Sequence, residues 1–244
     1  MIKIKVFIFD IDDTLYDLEY PFKLAFYSMF KVIPDNIHSI FLDFRKYNNE
    51  IYDKALNGKI TMEELCIYRS KNAFRDHGIF IDDDKAIEFQ LTYLREKKNI
   101  TLENNVENIL KILKKNNYTL SIISNGPHKE QFEKFNYLGL EKYIDSNLVF
   151  ISEDIGIHKP NTGIFDYAKE KILDYLNISD EKYVDFYYIG DAYLNDVIGS
   201  KSSGMKSIWI NHRGYKPENS KYKPDFIANN FKELYEIIEK IIKK

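Results

Sequence analysis

The sequence predicts an α/β fold, a doubly wound parallel sheet of Rossmann-like form with an inserted α-helical cap. Three observations predict it. Short β-branched and aromatic runs recur along the chain, and the first ends at a cluster of acids. Stretches with apolar residues three or four apart lie between those runs, as helices do between the strands of a parallel sheet. The alternation is interrupted once, between about Tyr16 and Asn99, where helical periodicity stands alone.

Ile4 to Phe9 reads as a strand buried on both faces, with acids at its carboxyl end. In the insert, Phe22, Ala25, Phe26, Met29 and Phe30 repeat at helical spacing, and Thr61 followed by Glu64 forms a capping-box start for another helix. Val106, Ile109, Leu110 and Leu113 then mark a helix before a strand at Thr119 to Ser124. Further strands are expected at Asp185 to Ile189, Lys206 to Ile210 and Asp225 to Ala228. Phe231, Leu234, Ile237, Ile238 and Ile241 close the chain as a helix. The expected organisation is a core of residues 1–15 and 100–244 around a helical cap of residues 16–99.

Composition narrows the function classes. The 244 residues carry 35 Lys and Arg against 38 Asp and Glu, with no strongly basic block, which argues against a nucleic acid polymer as partner. No apolar run approaches the length of a membrane span. The lone cysteine, Cys66, forms no internal disulfide, and no leader pattern opens the chain, so a cytoplasmic location is expected.

Open parallel sheets bind ligands beyond the carboxyl ends of their strands. Four such places carry chemistry. Asp10-Ile11-Asp12-Asp13-Thr14 puts two carboxylates two residues apart at a strand tip. Ser124-Asn125-Gly126-Pro127 offers a hydroxyl and an amide, with Gly126 and Pro127 placed as N-cap and first residue of a helix whose amides can receive an anion. Lys159 supplies a cation beside Pro160. Gly190-Asp191 ends a strand, and Asp196 follows five residues later. Alone, each has an ordinary reading: a solvated turn for the acids, turn residues for Ser124 and Asn125, a surface lysine for Lys159. Asp13 reads as a helix-start or solvent-facing acid. A hard oxygen set from Asp10 and Asp191 suits Mg²⁺, whereas the five histidines and one cysteine show no zinc spacing.

Together, Asp10-x-Asp12-x-Thr14, Ser124-Asn125-Gly126, Lys159-Pro160 and Gly190-Asp191-(x4)-Asp196 resemble, in order, the four motifs of the haloacid dehalogenase superfamily. The helical insert between the first two resembles the cap of its capped subfamily I. The resemblance implies phosphoryl chemistry, because Asp12 fills a position that the dehalogenating members lack. It implies that Asp10 attacks phosphorus and that Asp12 protonates the leaving oxygen and then deprotonates water. Mg²⁺ would be held by Asp10, Asp191 and the backbone carbonyl of Asp12. Ser124, the Asn125 amide and Lys159 would hold the phosphoryl oxygens, with Thr14 and Asp196 in support.

The expected enzyme is a Mg²⁺-dependent phosphatase of a small phosphate ester. A phosphomutase of the same superfamily and a phospho-accepting receiver module are the alternatives. Ser152-Glu153-Asp154-Ile155-Gly156 and Trp209-Ile210-Asn211 resemble the nucleotidase-like members, which points to a nucleoside monophosphate, pyrimidine first. Tyr16 and Tyr20, nearest the catalytic loop, are candidates to line the substrate pocket. No protein partner is legible.

Overall fold

The computed structural model describes residues 3–217 and 221–243, apart from the side chain of Leu56. The expected domain ends at residues 1 and 244 lie outside the described residues. The chain divides into two compact units, Met1–Asp17 with Thr101–Lys244, and Leu18–Ile100. The main helices and strands, in chain order, are β1 (Ile4–Phe9), α1 (Glu19–Phe30), α2 (Ile37–Leu56), α3 (Met62–Asp76), α4 (Asp83–Glu96), α5 (Asn104–Lys115), β2 (Thr119–Ser124) and α6 (His128–Tyr137). Then come β3 (Val149–Ile151), α7 (Ser152–Ile155), α8 (Thr162–Leu176), β4 (Val184–Gly190), α9 (Gly199–Ser202), β5 (Lys206–Ile210), β6 (Phe226–Ala228) and α10 (Phe231–Ile242).

In the first unit the six strands form one parallel sheet, ordered β3-β2-β1-β4-β5-β6. Val6 through Phe9 are fully buried, as a strand between two neighbours and two helical layers must be. Chain order reverses direction at β1, whose neighbours are β2 and β4, and such a switch point opens a crevice at the carboxyl ends. The receiver alternative has the order 2-1-3-4-5, which this sheet does not follow. Strand β3 was not among the expected strands. Its three residues are too few to show an alternating pattern, and it pairs only with β2 at the sheet edge.

Two features hold the chain where it leaves and re-enters this unit. The Glu103 amide donates to the Leu15 carbonyl at 3.0 Å, and the Glu103 carboxylate caps α5 through the amides of Asn105 and Val106. Tyr16 and Asp17 thus belong with the sheet.

The second unit is helical. α1 packs on α4, and α3 on both α2 and α4, around a centre of rings. Phe22 lies 5.4, 5.1 and 5.3 Å from Phe41, Phe44 and Phe89. Thr61 and Glu64 form the expected capping box at the start of α3. No helix among the described residues is long and apolar enough to cross a membrane.

Candidate active site

Every acid of the first and fourth motifs lies at the carboxyl edge of β1 or β4. Asp10 follows β1, and its amide donates to the Ile189 carbonyl at 2.9 Å, carrying the pairing with β4 one residue past the strand. Asp191 follows Gly190, the last residue of β4; its carbonyl accepts from Trp209 Nε1 at 2.8 Å. Asp196 sits on a π-helical turn, Tyr193–Ile198. Carboxylate oxygens of Asp10, Asp191 and Asp196 lie within 4.8 Å of one another, and all three residues are buried.

One ammonium enters this cluster. Lys159, 5% exposed, donates to Asp10 Oδ1 at 2.8 Å, Asp196 Oδ1 at 2.7 Å and the Tyr188 hydroxyl at 2.9 Å. All three of its protons are therefore used. Asp196 also accepts from the Ala192 amide at 2.9 Å and from Tyr188 at 3.2 Å, so most of its lone pairs are taken. Asp196 thus braces Lys159 within the cluster it shares with Asp10 and Asp191. Close packing makes this possible: a Cβ on Gly190 would come within 2.4 Å of the Asp196 carboxyl.

Burial pushes the Asp10 carboxyl up to about 6, against the pull of Lys159 and with the help of Asp196 and Asp12. Burial alone would lower the Lys159 ammonium, but Asp10, Asp196 and Tyr188 together hold it well above the ordinary lysine value. Burial also pushes the Tyr188 hydroxyl well up, so it stays protonated. Three clustered carboxylates and one ammonium leave negative charge in a buried pocket of oxygen donors, a fit to a hard divalent cation such as Mg²⁺.

Asp12 turns its side chain elsewhere. Lys134, on α6 and 4% exposed, donates to its Oδ1 at 2.8 Å and its Oδ2 at 2.6 Å, and the Tyr16 hydroxyl also donates to Oδ1. The Asp12 side chain is thus not among the clustered carboxylates, in keeping with a ligand role for its backbone carbonyl alone. Ser124 ends β2, is buried, and bonds Gln131 Oε1 at 3.1 Å. The Asn125 side chain clasps the backbone of Lys159 reciprocally, Nδ2 to the carbonyl at 2.9 Å and Oδ1 from the amide at 2.8 Å. Thr14 is fully buried.

Four expectations need correction. Helix α6 begins at His128 with Pro127 as N-cap, one residue later than expected. Two amides expected to receive an anion are already engaged: Gly126 donates to the Ser152 hydroxyl at 3.0 Å and His128 to Glu153 at 2.7 Å. Asp13 is not solvent-facing but fully buried, paired with Arg213 at 2.7 Å. Of the two candidates to line a pocket, Tyr16 is 1% exposed and holds Asp12, while Tyr20 is 52% exposed.

Sequence reasoning missed Lys134, Gln131, Tyr188 and Arg213. For the first two a signal existed, since they lie three residues apart on the helix that follows the second motif and share a face. Tyr188 hides among the apolar and aromatic residues of β4, and Arg213 belongs to no pattern.

The fold and site define a hydrolase of the haloacid dehalogenase-like type, and the chain belongs to that family, whose model matches residues 7–210. Over 246 residues it is 28% identical to the glyceraldehyde 3-phosphate phosphatase of Pyrococcus furiosus, covering 98% of this chain and 95% of that one. Over 123 residues, half of each chain, it is 32% identical to the pyrimidine 5'-nucleotidase YjjG of Escherichia coli. Its fold matches the crystal structure of the putative hydrolase YfnB of Bacillus subtilis bound to magnesium, with a TM-score of 0.70, 22% identity and coverage of 97% and 99%.

Proposed function

We propose that this chain hydrolyses a small phosphate monoester in two displacements, with Asp10 as the nucleophile. The observation that carries the reading is the Lys159 ammonium, 2.8 Å from Asp10 and shared with Asp196, beside the carboxylate of Asp191. Phosphoryl transfer needs charge compensation and alignment above all. Mg²⁺ held by Asp10 and Asp191, with the backbone carbonyl of Asp12, would supply further charge compensation on the phosphoryl oxygens.

In the first displacement, with Asp12 entering the step protonated, an Asp10 oxygen bonds to phosphorus, the ester oxygen leaves, and Asp12 gives it that proton. Lys159 loses an acceptor as Asp10 becomes phosphorylated, and that proton is then available to a phosphoryl oxygen. Ser124 and the Asn125 amide are the further donors assigned to it. In the second displacement Asp12 takes a proton from water as the water oxygen attacks phosphorus. The bond to Asp10 breaks and phosphate departs. Thr14 supports the loop, and Asp196 holds Lys159.

The likeness to a triose phosphate phosphatase over nearly the whole chain puts a three-carbon phosphate ahead as substrate, with pyrimidine nucleoside monophosphates second on a likeness over half the chain. A panel of triose phosphates, sugar phosphates and nucleoside monophosphates ranked by kcat/KM measures differential transition-state binding and tests this directly. A nucleotide at the head of the ranking reverses the order of substrates. Isomerised phosphate esters without release of phosphate would replace the hydrolase with a mutase.

A further inference from the structure

We propose that Lys134 is a positioning residue for the proton transfers at Asp12, an inference that rests on the phosphatase reading. A lysine this deeply buried is costly unless its ammonium is fully paired. Here the pairing is directed at one group: Lys134 Nζ reaches both oxygens of Asp12, at 2.8 and 2.6 Å, and its further contact is Gln131 Oε1 at 3.4 Å. Gln131 carries the arrangement on to Ser124, whose hydroxyl bonds the same Oε1 at 3.1 Å. One face of α6 therefore holds the proton-transfer carboxylate and the phosphate-binding hydroxyl together. Its register is set by close packing, since a Cβ on Gly126 would approach Gln131 to 2.6 Å.

The geometry gives Lys134 a task distinct from that of Lys159. Lys159 sits on the nucleophile and serves the phosphoryl group. Lys134 spans the two oxygens of the ionised Asp12 and fixes the plane of its carboxyl; when that carboxyl takes up the proton it later delivers, one oxygen leaves Lys134 and the other stays on it, which keeps the orientation that delivery to a leaving oxygen needs. Without Lys134, that carboxyl keeps the Tyr16 hydroxyl on Oδ1 and Gln131 Nε2 on Oδ2 at 3.5 Å.

The test uses the full chain with Mg²⁺, Lys134→Met and Lys134→Arg beside the wild type, and two esters. p-Nitrophenyl phosphate has a leaving group that needs little protonation; glycerol 3-phosphate has one that needs it fully. Rapid-quench measurement of the first displacement should show Lys134→Met losing about 10-fold or more on glycerol 3-phosphate beyond its loss on p-nitrophenyl phosphate, with KM little changed. Lys134→Arg should recover part of that difference. Equal losses on the two esters, or none, overturn the proposal, because a merely structural lysine affects both alike. A crystal structure of Lys134→Met, or of Lys134→Gln if the first does not fold, gives a readout independent of turnover. The Asp12 carboxyl should leave its wild-type orientation, and retention of that orientation overturns the proposal. A wild type inactive on both esters would sink the phosphatase reading separately, and the crystal structure would still decide the role of Lys134.

Discussion

Arg213 grips Asp13 with two parallel donors, Nε to Oδ2 at 3.1 Å and Nη2 to Oδ1 at 2.7 Å, and the same Nη2 also reaches Asp17. Asp13 is wholly buried and has a φ of 59°, a left-handed conformation that few residues other than glycine adopt without cost. The fork therefore shapes the loop that runs from Asp12 to Asp17, where the first segment of the sheet unit ends. His212 adds a ring nitrogen 3.1 Å from the Asp13 carbonyl and lies 4.8 Å from the Phe231 ring.

Removing one partner of such a pair strands a buried charge. Arg213→Met should lower stability by about 3–5 kcal/mol, read from urea midpoints at constant slope. The double variant Asp13→Ala, Arg213→Met should lose less than the sum of the two singles. Strict additivity would show that the fork carries no coupling.

The two acids of the catalytic loop should separate in kinetics. Asp10→Asn should abolish turnover, since an amide forms no acyl phosphate. Asp12→Asn should retain metal affinity and slow turnover by roughly 10² to 10⁴. Parallel loss of Mg²⁺ affinity and turnover in Asp12→Asn would make its side chain a ligand.

Asp10 should report the metal directly. In chelated protein, carbon-13 NMR of labelled aspartate should find a carboxyl titrating near 6, raised by burial. A divalent cation favours the carboxylate, so Mg²⁺ should move that titration to lower pH, and excess chelator should remove hydrolysis of p-nitrophenyl phosphate. An Asp10 signal indifferent to Mg²⁺ would place the ion elsewhere.

How far the site was legible follows from these residues. Asp10 and Asp191 stand where short apolar strands end, Lys159 lies in the loop before α8, and four motifs in order are visible in one sequence. The partners that hold them are not. Lys134 and Arg213 lie far along the chain from the carboxylates they touch, and no local spacing marks a contact made by tertiary packing. Strand β3 was illegible for a related reason, since its three residues become a strand only by pairing with β2.

His212 gives the protein an acid sensitivity with a definite sign. Burial holds its imidazolium below the ordinary 6.5, Arg213 reinforcing this and the charges of Asp13 and Asp17 opposing it. As pH falls through 6.5 the unfolded chain binds a proton that the folded chain does not, so stability drops on acidification. His212→Asn should show a shallower loss than wild type between about pH 7 and about pH 5, followed by thermal unfolding. An equally steep loss would assign the effect to other groups.

Gly190→Ala tests the packing beneath Lys159. The added methyl cannot coexist with Asp196 where it stands, so the variant should lose about 1–3 kcal/mol and most of its turnover. Wild-type activity in Gly190→Ala would show that the Asp196 brace is dispensable.

The hydrogen bond between Glu103 and Leu15 makes residues 18–100 a closed excursion whose two ends meet. Closing a longer loop costs only about 0.6 kcal/mol for each doubling of its length, so the sheet is nearly indifferent to the size of what it carries there. Such a segment can be exchanged as a cassette, lengthened or replaced by descent without redrawing the strand ends that hold the reactive groups. Heredity can then rewrite that segment and the strand ends on separate schedules within one gene.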